Sequence, residues 1–562
     1  MLIQGNLDVR CVLTANRDAH RRNSNDRSTP DAHWRIWLPL VGLTSLVPLS
    51  ATTWPPLIDY LPHLSRVLIE HDLLTRGEFS DRFHWNLQVV PNLGLDLVIL
   101  PLTFAGVPIG IAGRLFVAMV IVLTGASVVL LHRALFRRWS PVPLVIFGFS
   151  YTEVLIYGFL NCELAVASSL IAFTAYLHLR STRSLPLLLA FGATVTFSLF
   201  LIHLLGAAVF LGLLASHALS ERWIAPMLPK LWGGFEANIR DLSGARKSFW
   251  IVLSCLTVLA MLMAMAPVSV GTEEGSTALT LSLFKPQLWR WRRVFDALLG
   301  YQQSADFVLA AIGAAALALA GFRARLRIAS VMVLPISGVA VLFFVVPAGW
   351  GTTWYIPERF PFLLMLLALS SVDVRLSIRG QQLASLFVAA LIILKSLDVT
   401  NMWMEAENLR RPIIDALSRV EHNSVVCQVE MTSRDIHGDI GFPLVNVAPI
   451  ATLSSGAFAP VFATFDQNLI IPLPHWSDVL RRTSMRHRVD LFPLAPPGKE
   501  NAWSANAAQT CDYLLATRPG LYQGAVPTSY IPVARTEQAV LYRSQHEVGT
   551  ATGRLRVSDP QS

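Results

Sequence analysis

Apolar runs of about 17–25 residues, long enough to cross about 30 Å of hydrocarbon, recur along the chain from Trp37 to about Leu397 and then stop. They predict membrane spans at Trp37–Thr53, Gly113–Leu131, Pro143–Tyr157, Cys162–Leu179, Leu185–Leu201, Leu204–Leu219, Phe249–Pro267, Phe307–Gly321, Ala329–Val346, Phe360–Ser371 and Leu383–Leu397. A shorter run, Leu93–Gly106, is ambiguous. The pattern predicts a mainly α-helical, polytopic membrane protein with about 11–13 crossings.

After Leu397 the pattern changes to that of a soluble domain. Strand-like runs occur at Ser424–Val429, Cys511–Thr517 and Ala539–Arg543, separated by polar turns. The chain is therefore predicted to have three parts: a tail over residues 1–34, a membrane domain over 35–397 with a large loop at 54–92, and a small α/β domain over 398–562.

Basic residues fall in every second loop between the predicted spans. The clusters are His132, Arg133, Arg137 and Arg138; Arg180 and Arg183; Arg222, Lys230, Arg240, Arg246 and Lys247; Arg323, Arg325 and Arg327; Arg375 and Arg379. Because basic loops stay in the cytoplasm, this alternation predicts about eleven crossings, with Leu93–Gly106 re-entrant or interfacial. The Arg-rich tail is predicted to be disordered and cytoplasmic, and loop 54–92 and the C-terminal domain to lie outside the cytoplasmic membrane.

Composition agrees with a membrane protein and excludes several functions. Of the 562 residues, 53% are hydrophobic and only 15% charged, and the mean hydropathy is +0.50. The formal net charge of +8 arises in short loops, which argues against nucleic-acid binding. The sequence contains no Walker loop, Rossmann fingerprint, His-Glu-x-x-His or Cys-x-x-Cys, which argues against an ATP-driven pump, a Rossmann-type nucleotide-sugar enzyme and a zinc protease.

Two of the five cysteines, Cys427 and Cys511, lie in the predicted C-terminal domain. In an oxidising compartment they can form a disulfide, and two unpaired buried thiols are the alternative.

The segment Trp54–Arg66, directly after the first span, carries Asp59, His63 and Arg66. In a helix these three side chains share one face. Asp59 is the candidate general base, and its alternative role is a helix cap or an interface aspartate. His63 and Arg66 are candidates to bind phosphate or to orient Asp59, and snorkelling at the interface is their alternative role.

Further candidates lie at the outer ends of later spans. Glu153 and Glu163 are acids in or beside apolar spans, where a charge is costly and is functional or paired. Either could supply a second carboxylate or form a structural pair. Arg359 follows Glu358 at the outer mouth of a late span, where it could clamp a phosphate bidentately. His203 is interpreted as a satisfied intramembrane histidine.

Several short motifs together resemble the GT-C superfamily of polytopic glycosyltransferases, which includes protein O-mannosyltransferases and the bacterial aminoarabinose transferase. They are Asp-Tyr-x-x-His-x-x-Arg from Asp59, Pro91–Asp96, Ala112–Phe116, His132–Phe136, Gly158–Asn161 and Glu358–Phe360. The resemblance implies an inverting transfer of a sugar from a polyprenyl-phosphate donor to a glycan, lipid or protein acceptor at the outer face of the cytoplasmic membrane.

The resemblance also implies roles for single residues. Asp59 is the expected base, and the expected substrate-binding residues are His63, Arg66, Glu153, Asn161 and Arg359. No residue is assigned as a metal ligand, and because the first-loop motif has one acid where several relatives have two, a divalent metal is an open possibility. The alternatives are a flippase or transporter for lipid-linked saccharides, and a non-catalytic scaffold of the same fold.

Overall fold

The structure is a computed structural model that describes residues 31–86, 88–224, 243–265, 326–347, 353–429, 442–460, 468–474, 476–477, 511–517, 529–537 and 539–545, together with a few isolated positions. Residues 1–30 of the predicted tail lie outside the described residues. So does the predicted span Phe307–Gly321, apart from Ala311 and Gly313.

Helices make up most of the described chain. They are α1 Asp31–Thr44, α2 Tyr60–Thr75, α3 Gly94–Phe104, α4 Ile109–Phe136, α5 Glu153–Ile156, α6 Leu160–Leu179, α7 Leu185–Ile202, α8 Leu204–Leu219, α9 Ser243–Met265, α10 Val333–Val345, α11 Arg359–Ser371, α12 Ile378–Leu417 and α13 Ile450–Ser455. Short 3₁₀ segments lie at Val47–Ser50, Val142–Phe149, Ser330–Met332 and Phe442–Leu444.

The strands are short and form small sheets. They are β1 Phe83–Trp85, β2 Phe235–Glu236, β3 Leu326–Ala329, β4 Gly349–Trp350, β5 Thr353–Trp354, β6 Val372–Val374, β7 Val426–Val429, β8 Ile470–Pro472, β9 Tyr513–Thr517, β10 Tyr530–Arg535 and β11 Ala539–Ser544. The largest sheet has the order β10-β11-β9-β7; β7 runs parallel to β9, and the other neighbours are antiparallel. All three predicted strand-like runs contribute to this sheet.

Six helices of the described chain are long and apolar enough to cross a membrane: Ile109–Phe136, Leu160–Leu179, Leu185–Ile202, Leu204–Trp223, Lys247–Met265 and Ile378–Leu417. Shorter apolar helical segments lie at 94–104, 142–156, 330–345 and 359–371. The prediction of a mainly α-helical, multi-pass membrane protein is confirmed. Helix α3 has 11 residues and is about 17 Å long, too short for a full crossing, in agreement with the re-entrant or interfacial prediction.

The predicted span Pro143–Tyr157 differs from a regular helix. It is the 3₁₀ segment Val142–Phe149 followed by the four-residue helix α5. The tighter 3₁₀ geometry rises about 2.0 Å per residue, so fewer residues cover the same depth. Pro141 and Pro143 lie at the start of this segment, where the missing backbone N–H groups cost no helical hydrogen bond.

The loops with basic clusters meet at one face of the helical bundle. Strands β3 and β6 pair there, Arg138 Nη2 lies 2.5 Å from Asp373 Oδ2, and Arg180 donates two hydrogen bonds to Glu221 at 2.7 and 2.6 Å. Burial opposes ionisation of Asp373, but the nearby His132 ring and the Arg138 guanidinium together lower the pKa of its carboxyl group. The opposite face carries α2 and the C-terminal region.

The C-terminal region is continuous with the membrane domain. Helix α12 has 40 residues, about 60 Å, and passes through the predicted boundary at 397/398 without a break. One hydrophobic core joins side chains of α2, α4 and α12 with those of β7, β9 and β11, among them Tyr60, Phe116, Trp403, Val426 and Leu515. A disulfide connects Cys427 with Cys511, which decides between the two alternatives for this pair.

Candidate functional site

Asp59 directly precedes α2 and lies against a turn between α5 and α6. Its backbone N–H donates to Tyr157 O at 3.1 Å, and the N–H of Ile58 donates to Ile156 O at 2.9 Å. At the next position Gly158 has φ +79°, and a Cβ there would lie 2.7 Å from Asp59 N. Glycine is therefore required at 158 both by its conformation and by the approach of Asp59.

Asp59 caps α2 by position without a side-chain capping bond, and it is half-buried. Asp59 therefore holds the N-cap position without a side-chain capping bond, and its role as a base stays a prediction beside the alternative of a capping or interface aspartate. Its backbone and Cβ lie beside Gly158 in the turn Ile156–Phe159.

Arg359 reaches the same turn from the other side. It is the first residue of α11 and is 8% exposed. Its guanidinium carbon lies 4.5 Å from the centroid of the Phe159 ring, a cation–π distance. Asp59 and Arg359 therefore flank one turn, with the backbone of Tyr157 on one side and the ring of Phe159 on the other.

Three aromatic rings line this turn. Tyr157 stacks on Phe159 at 5.3 Å between centroids, and Tyr355 lies 4.9 Å from Tyr157. Tyr355 has φ +58°, a left-handed conformation that is uncommon for a bulky residue and clusters at functional sites. The sequence pattern did not point to these rings, because aromatic residues at the ends of spans are common in membrane proteins.

Three further predicted residues near this turn, Glu153, Asn161 and Glu163, are buried. Glu153 is the first residue of α5, and Glu163 lies in the first turn of α6; Oε1 of Glu163 has no hydrogen-bond partner among the described residues. The side chain of Asn161 accepts from Leu95 N at 2.6 Å and donates to Asn92 at 2.8 and 2.9 Å. Asn161 thus fixes the turn before α3, where Asn92 has φ +73°.

His63 and Arg66 lie on α2 as predicted, but both are buried. Arg66 donates from Nε and Nη2 to Asp96 at 3.0 and 2.5 Å and from Nη1 to Asn468 Oδ1 at 2.7 Å. All three guanidinium nitrogens are therefore bound by protein oxygens. The geometry does not support the predicted phosphate contact of Arg66, because these donors already join α2 to α3 and to the C-terminal region.

Burial also sets the protonation of the neighbours of Arg66. Burial, and then the Asp96 carboxylate, raise the pKa of Glu70 well above its usual range. Burial, and then the charge of Arg66, lower the pKa of His63 well below its usual range. A neutral Glu70, a neutral His63 and the Arg66–Asp96 pair leave this buried cluster without net charge.

The C-terminal region contacts the segment that precedes Asp59. Asn446 Nδ2 donates to Ile58 O at 3.1 Å, and Arg410 Nη1 donates to Trp54 O at 2.7 Å. Further along the loop, β1 pairs with β8. The conformation of loop 54–92 is therefore determined together with the C-terminal region.

Sequence reasoning missed Asp96, Glu70, Asn468 and Asn446 as partners of the site. Asp96 carried a signal, since it is an acid inside the apolar run Leu93–Gly106. No signal marked Asn468, which lies more than 400 residues from Arg66. Among the residues that the structure describes, no group of three or more His, Cys, Asp or Glu side chains is arranged to hold a metal ion.

A search of protein-family models and of curated proteins found no match to this chain. Among solved structures, the chain is similar to ArnT from Cupriavidus metallidurans in the apo state, at 13% identity and a TM-score of 0.49, over 92% of this chain and 98% of that chain. It is also similar to the same protein bound to undecaprenyl phosphate, at 13% identity and a TM-score of 0.44, over 91% and 98%.

Proposed function

We propose that this chain is a GT-C-type membrane glycosyltransferase that moves a sugar from a polyprenyl-phosphate donor to an acceptor at the outer face of the cytoplasmic membrane, with inversion at the sugar carbon. The observation that carries the proposal is the placement of Asp59 and Arg359 on two sides of the turn Ile156–Phe159. A carboxylate and a guanidinium that belong to residues packed on the same turn can serve the two ends of a displacement reaction.

In the proposed step, Asp59 takes the proton of an acceptor O–H as that oxygen attacks the anomeric carbon. The bond between this carbon and the phosphate oxygen breaks, and its electron pair stays with the lipid phosphate. Arg359 stabilises the charge that develops there. The phosphate is a good leaving group, so the reaction draws its free energy from the donor and needs no nucleotide.

The other predicted residues fit supporting roles in this proposal. Glu153 and Asn161 bind or shape the substrate cavity beside the turn, Asn161 by holding the Asn92–Leu95 segment. His63 and Arg66 support α2 behind Asp59, and the phosphate-side role falls to Arg359. The proposed acceptor is a glycan, a lipid or a protein. The proposed step assigns no role to a divalent metal.

The orientation of the chain is supported by two observations. The basic loops meet at the face opposite to Asp59, which the positive-inside rule assigns to the cytoplasm. The Cys427–Cys511 disulfide belongs to the other side, where oxidising conditions allow it to persist. The N-terminus is then cytoplasmic and the C-terminal domain extracytoplasmic.

The decisive experiment is the transfer of radiolabelled sugar from a panel of polyprenyl-phosphate donors by membranes that contain the wild type or Asp59→Asn. We expect label transfer by the wild type and a loss of at least about 100-fold in the variant. The matched control is Asp415→Asn, which changes an exposed aspartate at the end of α12.

Full activity of Asp59→Asn would show that Asp59 is not the base. No transfer by the wild type with any donor would overturn the enzyme proposal and leave the scaffold or transporter, which a flipping assay with fluorescent lipid-linked saccharide in vesicles would then separate.

A further inference from the structure

The rings of Tyr157, Phe159 and Tyr355 form one cluster beside the candidate site, and the proposed reaction gives them no role. Their centroids lie 5.3 Å apart for Tyr157 and Phe159, 4.9 Å for Tyr157 and Tyr355, and 6.4 Å for Phe159 and Tyr355. These three distances are similar, whereas in a linear pile the outer rings would be much farther apart than neighbours. The three rings therefore lie side by side and form a surface, which we call the aromatic platform.

The backbone at Gly158 fixes two rings of the aromatic platform. Tyr157 and Phe159 flank this glycine, whose φ of +79° belongs to the left-handed region. Their rings stack with an angle of 10° between the planes. A Cβ at position 158 would lie 3.2 Å from the Cβ of Asp59, so Asp59 packs on the same turn that carries these two rings.

Tyr355 joins the aromatic platform from the segment before α11, with an unusual backbone conformation. Its φ of +58° lies in the left-handed region, which Gly and Asn enter readily and a bulky residue rarely does. Its ring plane is tilted by 30° to that of Tyr157. A bulky residue held in this conformation and packed against a second ring is the kind of outlier that clusters at ligand clamps.

The aromatic platform contacts both residues to which the proposed reaction assigns a role. The N–H of Asp59 donates to Tyr157 O at 3.1 Å, and the guanidinium carbon of Arg359 lies 4.5 Å from the centroid of the Phe159 ring. Phe159 and Tyr355 are half-buried, so part of each side chain lies outside the packed core. In the proposed reaction, the group between the acceptor oxygen and the lipid phosphate is the transferred sugar.

We propose that the aromatic platform binds the transferred sugar of the donor by stacking against a face of the sugar ring that presents C–H groups. The inference rests on the proposed function and names the part of the donor that these rings recognise. The face of an aromatic ring is electronegative, and the oxygens of a sugar polarise its C–H groups, so the two surfaces attract each other. The substrate class is a sugar with one ring face that is free of hydroxyl groups.

The prenyl chain of the donor is the competing occupant of the aromatic platform. Tyr157 and Tyr355 carry hydroxyl groups, and a buried hydroxyl requires a hydrogen-bond partner, which a hydrocarbon chain does not offer. Two tyrosines among three rings therefore suit a hydroxylated ligand better than a prenyl chain.

Two variants of Tyr355 separate the ring from its backbone conformation. Tyr355→Asn removes the ring, and asparagine tolerates the left-handed conformation. Tyr355→Phe keeps the ring and removes only the hydroxyl group. The matched control is Arg137→Asn, which places asparagine at another left-handed position, φ +56°, on an exposed residue of a basic loop at the opposite face.

The measurement is the affinity of the purified full-length protein for undecaprenyl phosphate and for undecaprenyl phosphate that carries glucose, mannose, galactose or arabinose. The sugar gain is the ratio of the affinity with a sugar to the affinity without it. We expect a sugar gain in the wild type that falls by about 10-fold in Tyr355→Asn, with the affinity for undecaprenyl phosphate unchanged. Tyr355→Phe should retain the gain to within about 3-fold, and Arg137→Asn should retain it fully.

An equal loss of affinity for the lipid with and without sugar in Tyr355→Asn would overturn the proposal and assign the aromatic platform to the prenyl chain. An unchanged sugar gain in Tyr355→Asn, or no gain with any of the four sugars in the wild type, would overturn it as well. If Tyr355→Asn fails to fold, Tyr355→Gly decides, because glycine fits the same conformation.

Transfer of radiolabelled sugar by the same proteins separates this inference from the enzyme proposal. A sugar gain that depends on Tyr355 without any transfer would keep the inference and reject the enzyme. Transfer by the wild type that Tyr355→Asn leaves with unchanged KM and kcat would do the reverse.

Discussion

Two buried arginines of this protein, Arg66 and Arg359, have the same predicted role and very different surroundings. Arg66 is held by the Asp96 carboxylate and by Asn468, and its charge is compensated within the protein. The guanidinium carbon of Arg359 lies 4.5 Å from the centroid of the Phe159 ring. The carboxylate of Asp96 balances the charge of Arg66, whereas the Phe159 ring attracts the guanidinium of Arg359 through the quadrupole of its π-system.

The comparison teaches that the neighbours of a buried charge, more than its depth or its position near a membrane, separate a structural role from a chemical one. A compensated pair fixes elements relative to each other, here α2, α3 and the C-terminal region. Arg359 contacts the turn beside Asp59, and we therefore expect it, and not Arg66, to meet an anionic substrate.

The largest expected effect is on folding, from the change Asp96→Asn. It leaves the buried charge of Arg66 without its carboxylate, and we expect the free energy of unfolding to fall by about 3–5 kcal/mol. Thermal unfolding of the purified protein measures this, with Asp415→Asn as the control. The double variant Arg66→Met, Asp96→Leu should recover most of the loss, and a stable single variant would contradict the structural role of the pair.

A smaller effect, on rate and not on folding, is expected from Arg359→Lys. Lysine cannot stack on Phe159 or bind phosphate with a planar fork, so we expect kcat to fall by about 100-fold with little change in the melting temperature. Arg379→Lys, at an exposed position near the start of α12, is the control. A lower melting temperature with unchanged kcat would mean that Arg359, like Arg66, has a structural role and does not act in the reaction.

The next effect concerns the contact between Asn446 and the residue before Asp59. Asn446→Asp removes the donor to Ile58 O, and we expect kcat to fall by a few-fold, up to about 10-fold, with KM unchanged. Asn423→Asp is a matched control, because Asn423 is exposed and has a similar left-handed backbone, φ +62° against +53°. Equal kcat in both variants would show that this contact with the C-terminal region does not affect the rate of the reaction.

The smallest effect is a pH dependence of stability at Glu70. Its pKa is raised in the folded state, so its contribution is fully present below the unfolded pKa and is lost as the pH rises through the folded pKa. We expect the melting temperature of the wild type to fall over that interval and that of Glu70→Gln to fall less. Parallel melting curves over pH would show that Glu70 is already ionised in the cluster.

Much of the helical fold could be predicted, because a membrane span is a single continuous run of apolar residues that is visible in the sequence. The limits of α4, α6, α7 and α8 follow from apolar runs, and the strands of the C-terminal sheet follow from short β-branched and aromatic runs. The 3₁₀ form of Val142–Phe149 could not be predicted, since apolar length does not specify helix type.

The candidate site was predictable only in part. Asp59 and Arg359 carried a signal because charges beside apolar spans are costly. No sequence signal separated Arg66 from Arg359. The two differ because the fold brings Asp96 and Asn468 into contact with Arg66. His203 was interpreted as a satisfied histidine, and its Nδ1 does accept a hydrogen bond from Leu205 N, but the sequence could not identify that partner.

The pairing of β1 with β8 has a consequence for biosynthesis. Asn86 donates to Asn468 across a separation of 382 residues, so loop 54–92 leaves the ribosome long before its partner strand has been made. Until β8 has been synthesised, the backbone groups of Phe83–Trp85 that pair with it have no partner strand, and this pairing therefore forms only late in synthesis.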